Sequence, residues 1–148
     1  MELSESALTT GMQQAMKARD RVRVTVLRGI IAAIKNAKIE QRTPDLTEDQ
    51  VIGLIRREVK QREEVLELAR KGGRSDVQEQ TEAEVVVLES LLPSLLTPEE
   101  LEAAVRRLRG AGAGSIGEVM RGLQQEYPGR IDGKAASTLA RQVLAEAG

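Results

Sequence analysis

The sequence contains no histidine and no cysteine, and these two absences exclude more chemistry than any other feature. A Ser-His-Asp triad, a cysteine nucleophile and a histidine general base are all impossible. Protein zinc sites are built mainly from thiolates and imidazoles, so we expect no metal site, no catalytic residues and no cofactor. Disulfides are excluded as well, so the sequence does not imply an oxidising compartment.

Aromatic side chains are almost absent: there is no Phe, no Trp and a single Tyr, Tyr127. The chain therefore lacks a row of rings on which single-stranded bases could stack. Its core must be built from aliphatic side chains and methionine. With 148 residues, of which 41% are hydrophobic, the chain can form one domain or two small helical ones.

Long apolar runs are missing too. None approaches the roughly 18 residues that a membrane span needs. The first residues, Met1 to Glu5, include two acidic side chains and lack the basic-then-apolar pattern of a signal peptide. We therefore expect a cytoplasmic protein that does not contact a membrane.

The formal net charge is only −1, but the charge is unevenly distributed. Residues 12–42 carry eight basic and two acidic side chains, whereas residues 43–100 carry seven basic and fourteen acidic ones. Residues 101–148 are mildly basic, with seven basic against five acidic side chains. A basic front segment favours a polyanionic partner. Ion pairs between the oppositely charged segments are the alternative, and composition alone leaves both open.

Helix-start signals recur along the chain. Asp20 and Asp132 are predicted to be simple N-caps. Apolar residues repeat at i+3 and i+4 between the signals, and this spacing includes the stretch 85–87, which we interpret as helix rather than strand. Four segments fit the capping-box pattern: Thr47–Gln50, Ser75–Gln78, Thr97–Glu100 and Ser115–Glu118. We predict an all-α fold with helices near 4–18, 20–40, 47–71, 75–91, 97–109, 115–126 and 132–146.

Two prolines, Pro93 and Pro98, bracket a short connector and mark the clearest boundary in the chain. Long helices precede it and three short helices follow. We therefore predict an N-terminal helical bundle over residues 1–92 and a small three-helix C-terminal domain over residues 97–148.

Three groups of short motifs follow one another along the chain. The first joins residues 27–36 (LRGIIAAIKN) with 57–62 (REVKQR), and the second joins 73–76 (GRSD) with 84–88 (EVVVL), 92–93 (LP) and 97–100 (TPEE). The third joins 117–120 (GEVM) with 129–134 (GRIDGK) and a final amphipathic helix. In this order, and over nearly the whole chain, they resemble the YqeY-like family.

The resemblance implies a C-terminal domain similar to the tail of the B subunit of glutamine-dependent Asp/Glu-tRNA amidotransferase, which helps to bind tRNA. It implies tRNA as a partner, with an amidotransferase or an aminoacyl-tRNA synthetase as a possible companion. The activity associated with the family is carbon–nitrogen ligation with glutamine as the amido-N-donor. This chain has no nucleophile paired with a base and no P-loop, so we expect a non-catalytic tRNA-associated module.

A helical protein–protein adaptor without RNA binding is the second hypothesis. The acidic middle segment, the net charge near zero and the lack of stacking aromatics favour it. The carboxylates of the acidic helix, Glu58, Glu63, Glu64 and Glu67, are predicted to form salt bridges with Lys60, Arg62 and Arg70 rather than to hold a metal.

Arg21, Arg28, Lys35 and Arg42 are spaced by seven residues, and the first three fall along one stripe of a single helix. Such a row of cations is typical of a surface that follows phosphates, so Arg28 and Lys35 are candidate tRNA contacts. The alternative is a solvated helix face, with or without pairing to the acidic helix predicted over 47–71.

The second candidate site lies in the C-terminal domain, where four cations surround two glycines. Lys134 falls in the first helical turn after Asp132, where free backbone amides and the helix dipole favour an anion. The alternative is that the glycines serve turn geometry and Lys134 is merely solvated. The predicted tRNA-binding residues of this domain are Arg121, Arg130, Lys134 and Arg141.

Overall fold

A computed structural model describes residues 3–146, which form seven α-helices and no strand. The all-α prediction is confirmed, and the predicted helix ends differ from the observed ones by at most one residue. Residues 85–87 are helical, as predicted. The helices are α1 (Glu5–Lys17), α2 (Arg21–Gln41), α3 (Glu48–Lys71), α4 (Ser75–Leu91), α5 (Pro98–Gly110), α6 (Ile116–Glu126) and α7 (Gly133–Ala145).

The chain divides into two compact units, one ending at Leu92 and the other beginning at Pro93. In the first unit, α2 packs against α1, α3 and α4, and α3 also packs along α4. Its buried core is aliphatic because the chain has no Phe or Trp. The apolar side chains meet in one core because they recur at i+3 and i+4 along each helix. The side chains at its centre, all less than 2% exposed, are Val26, Leu27, Ile30, Ile34, Val51, Ile55 and Leu88.

In the second unit, α5, α6 and α7 pack pairwise around a smaller core. Small side chains, Ala136 and Ala140, are fully buried on α7 and allow close helix packing. Gly122 on α6 has a similar role, since a Cβ atom there would lie 2.8 Å from Leu108 Cδ2 on α5. The larger core side chains are Val105, Val119, Leu123 and Val143.

Two of the four predicted capping boxes are complete. The Thr47 hydroxyl accepts from the Gln50 N–H while the Gln50 side chain accepts from the Thr47 N–H, and Thr97 and Glu100 repeat the arrangement. Ser115 accepts from the Glu118 N–H as predicted. The reciprocal half of that box is wrong, because the Glu118 carboxylate accepts from the preceding Gly114 N–H at 3.4 Å.

The predicted box at Ser75 is wrong. Ser75 is the first helical residue of α4, and its N-cap is Arg74, which makes no side-chain capping bond. The reason lies at the end of α3, where Gly73 adopts a left-handed φ of 68°. The turn between α3 and α4 therefore ends one residue earlier than predicted, and α4 begins at Ser75. Arg74 instead pairs with Asp76 in the first turn of α4.

Replacing Gly29 by alanine should raise the free energy of unfolding by about 1 kcal/mol. Gly29 is exposed in the middle of α2, and a Cβ atom there would meet nothing within 4 Å. Alanine therefore restricts the unfolded chain without a packing cost. Chemical denaturation of both proteins measures the change. As a matched control, Gly73→Ala should destabilise the protein because of its positive φ, and stabilisation by both substitutions would contradict the argument.

Candidate nucleic-acid interface

Three arginines on α5 form ion pairs with carboxylates at the ends of α6 and α7. Arg106 pairs with Glu102 and Glu146, and Arg107 pairs with Glu126 and also donates to the Tyr127 hydroxyl. The hydrogen bonds from Arg106 and Arg107 lower the pKa of Glu146 and of Glu126. The third arginine, Arg109, donates to the backbone carbonyl of residue 146 at 2.6 Å.

The other cations of the second unit are the four that the sequence singled out. Among the described residues, none of them lies within ion-pair distance of a carboxylate. Three are exposed and the fourth is half-buried. They therefore keep a positive charge that no ion pair within the described residues neutralises. These residues are Arg121, Arg130, Lys134 and Arg141.

Arg130, the half-buried member, also holds the backbone in place. Its Nε donates to the Ser94 carbonyl at 2.8 Å, and its own carbonyl accepts from the Leu96 N–H at 2.9 Å. The connector before α5 is thereby fastened to the turn before α7. The Thr97 N–H and hydroxyl lower the pKa of Glu100, and the nearby charge of Arg130 contributes to the same shift.

The prediction of free backbone amides at the start of α7 is wrong. The Asp132 carboxylate accepts from the N–H groups of Lys134 and Ala135, at 3.1 and 3.4 Å. The N-cap carboxylate occupies the position that an incoming anion would take, and its charge repels one. At Lys134 the positive charge therefore comes from the exposed ammonium group and not from free amides at the helix terminus.

The structure brings two of the four cations into one depression. Arg130 and Lys134 line a groove of about 730 Å³ between α5 and α7. Arg141 lies two turns along α7 on the same face as Lys134, outside the groove lining. The Arg121 side chain turns back along α6, with its Nε 3.5 Å from the Gly117 carbonyl.

The groove also contains acidic residues that the sequence analysis did not select. Glu99 and Glu102 line it from the α5 side. Their spacing of three residues, which begins inside the predicted capping box Thr97–Glu100, was the available signal, because it places both on one face of the helix.

In the first unit, the stripe on α2 is exposed and unpaired among the described residues. Arg21, Arg28 and Lys35 make no ion pair there, while Lys38, off the stripe, pairs with Glu5 at 3.2 Å. Pairing of this stripe with the acidic helix is therefore wrong, whereas the alternative of a solvated helix face stays open beside a phosphate-binding role. Arg42 does not continue the helical stripe, since it ends α2 in a left-handed conformation with a φ of 52°.

The ion pairs of the α3 carboxylates agree with the prediction only in part. Arg62 pairs with Glu58 as predicted, and it also reaches Glu84 on α4 at 3.0 Å. Arg70 pairs with Glu82 of α4 rather than within α3, and Lys71 pairs with Glu67. Lys60 makes no ion pair with the described residues.

Between residues 3 and 146, no group of three or more acidic side chains is placed to hold a metal ion.

Acidification should destabilise the second unit. The pKa values of Glu126 and Glu146 are lowered in the folded state, so their pairs stabilise the fold above the unfolded pKa of about 4.3 and lose that effect as the pH falls through the folded value. Urea denaturation from about pH 6 to pH 3 measures this loss. Glu146→Gln should reduce the dependence on pH, and an unchanged dependence would contradict the assignment.

Within residues 3–146, no helix is both long enough and apolar enough to cross a membrane.

Comparison with known proteins adds a family and a set of relatives. Residues 5–144 match the family model described as Yqey-like protein. Relatives named "Altered inheritance of mitochondria protein 41, mitochondrial" include one from Lachancea thermotolerans, 32% identical over 99 residues, which are 67% of this chain and 53% of the relative. Another, from Kluyveromyces lactis, is 30% identical over 102 residues, 68% of this chain and 55% of the relative. The chain spans about half the length of these relatives.

Proposed function

This chain belongs to the YqeY-like protein family, and from that premise we propose that it is a tRNA-associated helical module without catalytic activity of its own. It binds the phosphate backbone through exposed cations of the second unit, with a contribution from the stripe on α2. An amidotransferase or an aminoacyl-tRNA synthetase supplies the chemistry on the bound tRNA.

The observation that supports the proposal is the division of the cations into two classes. The arginines of α5 are neutralised by carboxylates, whereas the candidate residues of α2, α6, α7 and the turn before α7 have no ion-pair partner among the described residues. When an unpaired cation contacts a phosphate, a counterion condensed on the nucleic acid is released, and this release favours binding. No ion pair within the protein has to be broken first. The candidates are Arg28, Lys35, Arg121, Arg130, Lys134 and Arg141.

The absence of histidine and cysteine supports a role without catalysis. The remaining nucleophiles are hydroxyls and lysines, which need a positioned base to react. Glutamine hydrolysis by the purified protein alone would contradict this part of the proposal.

We place the protein in the cytoplasm. The relatives carry "mitochondrial" in their names, which is a statement about those proteins. Fractionation of cells expressing a tagged chain should recover it with cytoplasmic markers, and recovery with an organelle would overturn this location.

Fluorescence anisotropy with labelled bulk tRNA tests the binding proposal directly. We expect micromolar or tighter affinity, with a preference for tRNA over duplex DNA and heparin. The logarithm of the association constant should fall with the logarithm of the salt concentration, by about 0.7 to 0.9 for each phosphate contact. The absence of binding, or equal affinity for every polyanion, would overturn the proposal.

A protein–protein adaptor is the second candidate function. One observation favours it: the groove between α5 and α7 combines exposed apolar side chains with carboxylates that a polyanion would avoid.

A further inference from the structure

The groove between α5 and α7 has an apolar floor. Leu101 of α5 and Leu139 of α7 line it together with Leu96 of the preceding connector. Leu95 also lines the groove and is 42% exposed, so it presents apolar surface to solvent there. The groove has a volume of about 730 Å³.

Charged side chains flank the floor asymmetrically. Glu99 and Glu102 stand on the α5 side, and Lys134 stands on the α7 side. Arg130 and Asp132 carry opposite charges at the end where the connector meets α7. Carboxylates therefore outnumber cations around the groove, so a phosphate backbone that contacts the exposed Lys134 would stay at the rim and not enter the groove. The occupant must combine an apolar face with both signs of charge.

We propose that this groove binds an amphipathic helix of a partner protein. The apolar stripe of that helix lies on the leucine floor, its basic flank faces Glu99 and Glu102, and its acidic flank faces Lys134. The α7 wall extends from Lys134 to Gln142, which is about 12 Å or two helical turns. That length matches the apolar positions i, i+3, i+4 and i+7 through which helices are bound in grooves.

The groove is formed before any partner arrives. The Thr97 capping box fixes the start of the α5 wall, and the Asp132 cap fixes the start of the α7 wall. The hydrogen bonds that join Arg130 to Ser94 and Leu96 hold the connector at the end of the groove where it meets α7. Little backbone ordering is then required on binding, which lowers the entropic cost of association.

The probe for this proposal is a fluorescein-labelled helical peptide with leucines along one stripe, lysines along one flank and glutamates along the other. Anisotropy titration of the full chain should show a dissociation constant in the micromolar range. Leu95→Asp should weaken binding at least about tenfold. The matched control Leu68→Asp changes an exposed leucine of the first unit and should leave the affinity within about twofold.

The charged flanks are tested by comparing which of two peptides the wild-type chain and a charge-reversed variant bind more tightly. A second peptide carries glutamates on both flanks, and the wild-type chain should bind it more weakly than the mixed peptide. The variant Glu99→Lys/Glu102→Lys makes both sides of the groove basic and should prefer the second peptide. Circular dichroism verifies that each variant is folded. An unchanged preference would overturn the charge assignment.

Three other results would overturn the proposal. Binding of neither peptide below about 100 µM would exclude a helical partner. Equal effects of Leu95→Asp and Leu68→Asp would place the peptide outside the groove, as would amide shifts in NMR spectra that avoid Ala135 and Thr138. A concentration-dependent dimer that only Leu95→Asp dissociates would assign the groove to a second copy of this chain.

Discussion

Replacing Arg121, Lys134 and Arg141 together by glutamine should weaken tRNA binding by about two orders of magnitude at low salt. Each cation that contacts a phosphate releases about one counterion, so the triple variant should also reduce the slope of the salt dependence by about two to three. The fold should be unaffected, because these side chains make no ion pair among the described residues. Arg130 is left in place because it also holds the connector.

The matched control is Lys17→Gln/Arg57→Gln/Lys60→Gln, which removes the same charge from exposed positions of the first unit that make no ion pair with the described residues. Anisotropy titrations over a range of salt concentrations compare the two variants with the wild-type chain. The control should change the affinity by less than about threefold, since its residues are not among the proposed phosphate contacts and so release no counterions. Equal loss in both variants would show that net charge, rather than this surface, determines binding.

Replacing Leu123 by alanine should lower the free energy of unfolding of the second unit by about 3 kcal/mol. Leu123 is completely buried on α6 and belongs to the core that α5, α6 and α7 share. The substitution removes apolar contacts and leaves a cavity that a core of short helices can fill only partly. A loss of this size is a large fraction of the stability of so small a unit.

Hydrogen exchange of the α6 and α7 amides measures the change in the second unit directly. Leu68→Ala is the matched control, because Leu68 is a leucine on a helix but is 70% exposed. It should change the free energy of unfolding by less than about 0.5 kcal/mol. A similar small effect of Leu123→Ala would contradict the assignment of Leu123 to the core.

The helices were predictable because their signals are local. The Thr47 and Thr97 boxes join residues three positions apart, so the bonds can be inferred from the sequence. Ser75 shows the limit of this reasoning. It has the right pattern, but the left-handed turn at Gly73 shifts the cap to Arg74. The position of one helix end thus depended on how the preceding helix ended.

The pairing of charges between separate helices was not predictable. Arg106 and Arg107 resemble any other cations in the sequence, yet their partners lie 40 and 19 residues away, at Glu146 and Glu126. Arg62 likewise joins a carboxylate of its own helix to Glu84 of the next. Only helix packing decides which charges meet, and therefore which cations remain available to a partner.

By itself, the sequence determined the positions of the helices, the absence of histidine and cysteine chemistry and the resemblance to a family. These properties depend on residue identity and on contacts within a few positions. The tertiary structure alone decided which cations are unpaired and that Leu95, Glu99 and Lys134 surround one groove. These depend on distances between atoms of separate segments, and such distances exist only once the aliphatic cores have brought the helices together.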